Sequence, residues 1–477
     1  MKQDLQPGQL GAANLLIEPD YLMLRDGPVR GHAVLVRNRE FADLGTVDEL
    51  RERYPNFPPI QLRGKAIMPG FIDAHHHLTQ SFGKSLAAGE PSEIFRRIWV
   101  PLEASLTHEL VYKASKLAAL ESLRGGFTTV CDAGTRAEGE LDAITTAIHE
   151  TGLRCVLGLI CNDGGNESVP ESRRAMLKRA DLFLARWIDD ALIRPSLAIS
   201  IPEVASDEML IAVSRRCVEA GVVFQSHVNE HLASLERSLV QRGRRPLELL
   251  DSLGVLGPQV LIAHASLVTP HELGILLDTD TAVSYNPVAS QWKGNAVAPA
   301  LQMAEMGIRF GLGTDATRSD AFRLVDAAEA AQRIAFGLQI GDFSCGGGWT
   351  WLDHATHEGA RAVGLGNITG EIAIGLQADF LIVDVDVPEL CPSFDLGWDL
   401  VRLGNRDQIT AVFVGGALRL WHGWPLDWDG PALVAELREL ATRAVQQAPI
   451  QRIHPPSTQD RLQRLARRAA AQRGKTS

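Results

Sequence analysis

Three consecutive histidines, His75, His76 and His77, follow the apolar pair Phe71 and Ile72. In a β-strand alternate side chains share a face, so His75 and His77 point to one side and His76 points to the other. Neutral imidazole nitrogens are ligands for Zn²⁺ and Fe²⁺. The spacing therefore indicates a pair of metal ligands, for which the rest of the chain must supply partners.

Further candidate ligands stand at the ends of other apolar runs. The segment "VVFQSHVNE" contains His227 and Glu230, "VLIAHAS" contains His264, and "RFGLGTD" ends at Asp315. A single histidine or aspartate in such a place is more often structural than catalytic. Several of them at the same end of one sheet point to a common site. Imidazoles with one carboxylate suit Zn²⁺ or Fe²⁺, whereas Mg²⁺ prefers oxygen ligands.

The elements that must position these side chains alternate along the chain. Eight short apolar runs are separated by helical patterns such as "ELVYKASKLAALESLRGG", several of which end in Gly. Continuous apolar strands alternating with amphipathic helices predict a parallel sheet covered by helices, and eight such units fit a (β/α)8 TIM barrel. An open doubly wound sheet is the alternative, but no Gly-rich phosphate fingerprint follows the first strand. In a barrel the active site lies at the carboxyl ends of the strands.

Short β-type runs also occur near both chain ends, for example "HAVLVRN" and "ITAVFVGGALRLWHG". Segments of this kind can pair across the barrel into one small domain. The α/β chain is therefore predicted to comprise a β-sandwich domain from residues 1–65 plus 371–430, and a barrel over 66–370. Residues 431–477 are expected to form a helical extension with a basic tail.

Composition excludes some partners. The chain has 477 residues and a formal net charge of −11, which argues against nucleic acid and anionic membranes as partners. No apolar stretch reaches the length of a membrane span, and the N-terminal residues lack a secretory pattern. Six cysteines without CxxC spacing fit reduced thiols, so we expect a cytoplasmic protein.

Several motifs together resemble the amidohydrolase superfamily over about residues 10 to 430: "PGFIDAHHH", "GFTTVCDAG", "HVNE", "AHAS", "GTDAT" and "GLQADFLIVD". The resemblance is greatest to the cytosine-deaminase-like branch, with guanine deaminase, the methylthioadenosine/S-adenosylhomocysteine deaminases and the triazine hydrolases. In that branch a barrel interrupts a β-sandwich. The resemblance implies a hydrolase acting on C–N bonds other than peptide bonds, most simply a cyclic amidine deaminase.

The resemblance also implies roles for individual residues. The metal ligands would be three histidines and a carboxylate: His75, His77, His227 and Asp315. His76 is then expected to be packed or hydrogen-bonded. Binuclear relatives use a lysine at the end of the fourth strand, and "RPSLAISIPEVA" has none. We therefore expect one divalent ion, zinc or alternatively iron.

The catalytic residues implied by the resemblance are Glu230, His264 and Asp315. A divalent ion with an open position generates a hydroxide nucleophile at neutral pH. Asp315 is expected to accept the water proton, and a protonated Glu230 to donate to a ring nitrogen. His264 is expected to hydrogen-bond the water or the developing oxygen. The amino group would leave as ammonia.

Substrate contacts are expected from His264 and four further residues. Gln80 and Glu103 match substrate-binding positions of relatives, although a loop-capping amide and an exposed helix-start glutamate are the structural alternatives. Trp292 is expected to stack on a flat ring or to pack in the core. Ser319 follows the eighth strand and is expected near the substrate.

The substrate is expected to be a small amino-substituted N-heterocycle: a purine, pterin, triazine or adenosine-like molecule. The strand-seven signature HNPxSN is altered here, with Tyr285 in place of its histidine. The alternative is a hydrolase on the same scaffold that cleaves a cyclic amide, a substituted amine or a halide. A homo-oligomer is expected.

Overall fold

The computed structural model describes residues 5–90, 93–137, 139, 141–164, 169–337, 339 and 341–473. Its strands are, in chain order, β1 Asn14–Leu24, β2 Gly27–Val29, β3 His32–Arg37, β4 Glu40–Thr46, β5 Pro59–Pro69, β6 Phe71–His76, β7 Phe127–Asp132, β8 Arg154–Ile160, β9 Ile193–Ile199, β10 Phe224–Val228, β11 Val260–His264, β12 Ala282–Tyr285, β13 Phe310–Leu312, β14 Phe380–Asp384, β15 Ile409–Val414 and β16 Ala417–Trp421.

The α-helices among these residues are Pro7–Leu10, Val47–Arg53, Val100–Ala104, His108–Arg124, Asp142–Thr151, Pro170–Trp187, Asp207–Ala220, Leu232–Arg242, Pro246–Ser252, Pro270–Asp278, Pro287–Lys293, Ala300–Met306, Ala321–Gln332, Gly347–Ala355, His357–Ala362, Leu396–Arg402, Gly430–Gln447 and Ser457–Arg473. Their ends carry the expected signals. Thr107 caps the helix that begins at His108 by accepting from the Leu110 N–H. Gly221 ends the helix 207–220 at a φ of 61°, a conformation that glycine adopts without strain.

Strands β6 to β13 form one parallel sheet in sequence order, and they correspond to the eight predicted apolar runs. All six residues of β6 and of β7 are buried, because helices cover the outside of the sheet and side chains fill its inside. The backbone N–H of Asp315, just past β13, donates to the His75 carbonyl over 2.8 Å. The first and last strands therefore meet, which confirms the predicted barrel.

Strands from both chain ends form a second, eight-stranded sheet with the order β16-β15-β14-β5-β1-β3-β4, and β2 pairs with β1. It has its own apolar core, which includes Ile17, Val34 and Phe380. The domain limit predicted at residue 65 falls inside β5, which continues to Pro69 before the chain enters the barrel. A buried ion pair joins the two units, because Arg154 at the start of β8 contacts Asp379 over 2.8 Å.

Beyond the second sheet, the helix 430–447 packs against the helix 108–124, and its Leu433 and Leu437 are buried. The helix 457–473 is almost wholly exposed over its described residues. Within the described ranges, no helix is long and apolar enough to span a bilayer.

Candidate metal centre and active site

The predicted ligands and catalytic residues all lie at the carboxyl ends of barrel strands. His75 is the penultimate residue of β6 and His77 follows that strand, while His227 lies in β10. His264 is the last residue of β11, and Asp315 follows β13 by three residues. The alternation of β6 turns His75 and His77 to the same side, as predicted.

Three histidines and one aspartate converge there. One ligand atom from each of His75, His77, His227 and Asp315 lies within 4.8 Å of the others. Nε2 of His77 lies 3.2 Å from Oδ1 of Asp315 and 3.4 Å from Nε2 of His227. Nε2 of His75 lies 3.4 Å from the same carboxylate oxygen. Three nitrogens and one oxygen form a donor set suited to a divalent ion such as Zn²⁺.

The protonation of these imidazoles supports that fit. Nδ1 of His227 donates to the Ser200 carbonyl over 2.8 Å, which leaves its Nε2 lone pair directed into the cluster. Nε2 of His75 is buried and has no hydrogen-bond partner among the described residues. Burial lowers the pKa of both His75 and His227, and neighbouring imidazoles lower that of His227 further. Both side chains are therefore neutral at pH 7, the form that binds a metal.

His76 points away from the cluster. Its Nδ1 lies 3.0 Å from Oδ2 of Asp73 and 3.1 Å from the hydroxyl of Thr314. Asp73 also accepts from the Thr314 backbone N–H over 2.9 Å. His76 is thus a hydrogen-bonded residue of the barrel wall, in agreement with the expectation from the sequence.

The backbone around the cluster is tightly constrained. Asn229, His264 and Asp315 have positive φ values of 53°, 76° and 52°, which are uncommon for residues other than glycine. A Cβ at Gly313 would lie 2.2 Å from Oδ1 of Asn286 and 2.9 Å from Cβ of His75. Only glycine fits at this position beside the first ligand.

Glu230 lies beside the cluster, and one lysine contacts both Glu230 and the cluster residue Asp315. Nζ of Lys293 donates to Oε1 of Glu230 over 2.8 Å and to Oδ2 of Asp315 over 2.6 Å. Burial alone would raise the pKa of Glu230, but the charge of Lys293 opposes burial, and that pKa lies well below its usual range. Burial is likewise outweighed at Asp315, whose pKa Lys293 lowers. Lys293 therefore favours the ionised form of Glu230 in the free protein. The protonated Glu230 expected from the sequence stays a prediction.

His264 has a defined tautomer. Ser284 donates to Oδ1 of Asn286 over 2.8 Å, which orients the Asn286 amide so that its Nδ2 donates to Nδ1 of His264 over 3.2 Å. The His264 proton therefore resides on Nε2, which lies 3.8 Å from Oε2 of Glu230. Burial lowers the pKa of His264 to about 4, so it is a neutral donor at pH 7.

A cavity of about 760 Å³, including its open mouth, leads to the cluster. Its volume lies in the range of small-molecule sites. It is lined by His77, Gln80, Glu90, Glu93, Ile94, Phe95, Arg96, Trp99, Ile201, His227, Glu230, His231, Arg237, Lys293, Asn295 and Asp315. Gln80 thus lies at the cavity, where the sequence analysis expected a substrate contact.

The other three expected substrate contacts lie in different surroundings. Trp292 is 42% exposed and lines an adjoining cavity of about 410 Å³, so it is not a core residue. Glu103 is buried and accepts from Thr79 over 2.7 Å and from Arg136 over 2.8 Å. It is therefore not the exposed helix-start residue of the alternative interpretation. Neither Glu103 nor Ser319 is among the described residues that line these two cavities.

Most residues that line the cavity were not singled out from the sequence, and two of them carry charges close to the site. Lys293 stands in the altered segment after β12, and Glu93 lies within the long loop region after β6. The carboxylate of Glu93 accepts from Arg237 over 2.6 Å at the cavity wall. The position of Lys293 close to the changed HNPxSN motif was the only feature of the sequence that could have indicated its role. The position of Glu93 depends on loop conformation, which the sequence pattern does not give.

An eight-stranded barrel with a metal-ligating set at the carboxyl ends of its strands is the architecture of metal-dependent hydrolases. Residues 66–419 match the sequence profile of the amidohydrolase family. The chain belongs to that family.

Comparisons with individual proteins agree with this family assignment. A 5-methylthioadenosine/S-adenosylhomocysteine deaminase of Syntrophobacter fumaroxidans is 28% identical over 85% of this chain and 90% of its own. A 5'-deoxyadenosine deaminase of Methanosarcina acetivorans is 28% identical over 91% of this chain and 99% of its own. The solved structure of an adenosine deaminase from Xanthomonas campestris with bound zinc superposes with a TM-score of 0.82 at 26% identity, over 90% of this chain and 98% of the other.

Proposed function

We propose that this protein is a zinc-dependent hydrolytic deaminase of an adenine nucleoside or a related amino-substituted N-heterocycle. The observation that carries the proposal is the position of Glu230 and His264 beside the four-residue cluster at the end of the cavity. These groups can activate water, move protons and stabilise a developing oxygen within one small volume. Relatives named as deaminases of adenosine derivatives support the substrate class.

The metal would be held by His75, His77, His227 and Asp315. A divalent ion there would supply Lewis acidity and a hydroxide nucleophile at neutral pH. The fourth strand and its end contain no lysine, which supports a single ion. Zinc is proposed because the donor set suits it and because the Xanthomonas structure contains it.

Lys293 favours the ionised form of both carboxylates, which suggests the proton path. Glu230 takes the first proton of the attacking water and passes it to the ring nitrogen next to the amino-bearing carbon. Asp315 takes the second proton from the new hydroxyl and passes it to the amino group, which leaves as ammonia. Nε2–H of His264 donates to the developing oxygen. The two water protons thus end on the ring nitrogen and in ammonia, so the reaction balances.

The cavity wall suits a substrate with a polar part beyond the heterocycle. Glu93 presents a partly exposed carboxylate that can accept hydroxyl donors, and Phe95 and Trp99 offer apolar faces to a ring. Gln80 is proposed to hydrogen-bond the heterocycle, and Trp292 to border it from the adjoining cavity. For Glu103, a supporting role through the Thr79 and Arg136 contacts is proposed instead of direct binding. Ser319 remains a proposal from the sequence.

A cytoplasmic location and a homo-oligomeric state are also proposed. The six cysteines, all within the described ranges, form no disulfide and five are buried, which suits a reducing compartment. Exposed apolar side chains such as Phe343 and Phe394 offer surface for contact between copies.

The test is an ammonia-release and mass-spectrometric screen of zinc-loaded protein against adenine nucleosides, free purines, pterins and triazines. The proposal expects conversion of an amino to an oxo group, with equimolar ammonia, and a preference for nucleosides over free bases. Turnover without ammonia would move the reaction to cleavage of a cyclic amide, a substituted amine or a halide. Absence of turnover on the whole panel, with one zinc bound, would reject the substrate class.

A further inference from the structure

A buried carboxylate at the cavity is held by the C-terminal end of the chain. The side chain of Glu90 has no exposed surface. Its Oε2 accepts from the backbone N–H of Ile453 over 2.9 Å, and its Oε1 accepts from that of His454 over 3.2 Å. The guanidinium of Arg452 lies 3.4 Å from Oε1. Two peptide donors and a cation thus converge on one carboxylate more than 350 residues away in sequence.

Arg97 reinforces the same contact. Its Nη1 donates to Oε2 of Glu90 and to the carbonyl of Gln451, both over 2.9 Å. The backbone N–H of Gln451 donates in return to the Arg97 carbonyl over 2.9 Å. Burial alone would raise the pKa of Glu90, but these donors outweigh it and hold that pKa below its usual range. We call residues 451–454 the C-terminal strap.

The strap therefore contacts the segment that forms one side of the cavity. This segment, residues 93–99, is called the cavity wall, and it includes the π-helical turn Phe95–Trp99. Its lining residues are Glu93, Ile94, Phe95, Arg96 and Trp99. A single short π-helical turn at the surface of a cavity has lower local stability than the barrel core, so a remote contact can determine its position.

The strap is itself attached to the body of the protein. The helix 430–447 that precedes it is bound to the barrel helix 108–124, where Lys113 contacts Glu436 over 2.9 Å. The side chains of Ile453 and His454 are exposed, so backbone N–H groups and charge carry the contact with Glu90. The strap lies beyond the range 66–419 that matches the family.

We propose that Glu90 is a positioning residue that couples the C-terminal strap to the cavity wall, so that substrate affinity depends on the end of the chain. The kinetic part of this inference rests on the proposed deaminase function. Glu90 acts through the wall and does not touch the reacting atoms, because its oxygens are already bound by the strap and Arg97. Loss of the contact should therefore weaken substrate binding and leave the chemical step in place.

Three full-length or shortened proteins test this. Glu90→Gln keeps the shape of the side chain and removes its charge. Deletion of residues 451–477 removes the strap, and deletion of residues 457–477 removes only the exposed helix and serves as the matched control. Each is compared with wild type for bound zinc, for kcat and KM, and for hydrogen–deuterium exchange of the peptides that cover residues 93–104.

Glu90→Gln and the 451–477 deletion are expected to raise KM about tenfold, as for the loss of a hydrogen bond to a charged group, with kcat within about twofold of wild type. Exchange in the cavity wall should increase in both, and zinc content should remain at one per chain. Combining the two changes should add nothing, because they remove the same contact. The 457–477 deletion should resemble wild type.

Unchanged exchange and unchanged KM in Glu90→Gln and in the longer deletion would overturn the coupling. An equal effect of the control deletion would assign the phenotype to the exposed helix and would also overturn it. Hydrogen–deuterium exchange needs no substrate, so it reports on the strap even if the deaminase proposal fails. Failure of the deaminase proposal appears separately, as absence of ammonia release by the wild-type protein.

Discussion

The ammonium group of Lys293 lies 2.8 Å from a carboxylate oxygen of Glu230 and also reaches Asp315, over 2.6 Å. Burial would lower the pKa of this lysine, but the two carboxylates outweigh it and raise that pKa above its ordinary value. One permanent cation therefore links the two residues to which we assign the proton steps. It favours the ionised form of both carboxylates, the form in which they can accept protons from water.

We expect Lys293→Met to lower kcat/KM by about 10²-fold, the usual size of a lost contribution to proton transfer. Both carboxylates lose their cation, while Oδ1 of Asp315 and the three histidines remain available to a metal. Steady-state kinetics with metal analysis measures this. Lys113→Met is the control, since Lys113 is also 18% exposed and also pairs with two carboxylates. Equal rates for the two variants would contradict the role of Lys293.

Glu230→Gln removes the proton carrier and keeps the shape of the side chain. We expect kcat to fall by about 10²- to 10⁴-fold with bound metal unchanged, because Glu230 is not one of the four clustered ligands. Kinetics and zinc content, measured on the same preparation, test this. A variant that retains zinc and nearly wild-type kcat would reject the assignment.

Removal of the metal is expected to abolish turnover and to lower stability together. Bound zinc stabilises the folded protein by about 2.7 kcal/mol when its free concentration is 100 times Kd. Chelation should therefore lower the thermal midpoint, and added zinc should restore both midpoint and rate. His227→Ala should lose zinc, whereas His149→Ala should keep it, because His149 pairs with Asp190 on the barrel exterior. Full activity after complete chelation would contradict a metal-dependent reaction.

Much of the site could be predicted from the sequence because barrel strands bring distant residues to one end. His75, His77 and His227 stand at or near strand ends, so period-two alternation and the barrel topology were sufficient to place them together. The two chain ends could be assigned to one domain because both carry short apolar runs. These runs did not indicate how the strands pair or where each one ends, and the predicted limit at residue 65 fell within β5.

The cavity could not be predicted to the same extent, because loops form it. Lys293 follows β12 by eight residues, and its direction depends on the helix 287–293 and the left-handed Gly294 that ends it. Glu103 was expected at the substrate, yet Arg136 and Thr79 occupy its carboxylate. Sequence patterns identify the residue types in such loops, but not which partner each side chain contacts.

Asp73 is expected to control metal affinity without touching the metal. Its Oδ1 accepts from the Thr314 and His75 backbone N–H groups, and its Oδ2 accepts from the Thr314 hydroxyl. It thus joins the strand of the first ligands to the segment that carries Asp315. In Asp73→Asn an amide NH₂ replaces one acceptor, so we expect a loss of about 2 kcal/mol in stability and about 10- to 100-fold weaker zinc binding. Urea unfolding and zinc titration measure these, and unchanged zinc affinity would contradict the role.

Asp353 is expected to destabilise the protein at neutral pH. Burial raises its pKa to about 6, against an unfolded value of about 3.9. The charge of Arg25 opposes this rise and that of Glu358 adds to it. The folded protein therefore binds this proton more tightly than the unfolded chain does. The stability that this proton provides is fully present below about pH 4 and is lost as the pH rises through 6. Asp353 also lies near the carboxyl end of the helix 347–355, where a negative charge is unfavourable.

Asp353→Asn should accordingly raise the free energy of unfolding at pH 8, by about 1 kcal/mol after allowance for partial exposure. The gain should shrink steadily towards zero as the pH is lowered to about 4. Urea unfolding of chelated protein at several pH values measures it without a contribution from metal binding. Asp342→Asn is the control, and it should lower the free energy of unfolding instead of raising it. Hydrogen bonds from Ser344 and Gly346 lower the pKa of Asp342, so its charged form stabilises the fold above that pKa. If Asp353→Asn raised the free energy of unfolding by the same amount at every pH, packing and not ionisation would be the cause of the destabilisation by Asp353.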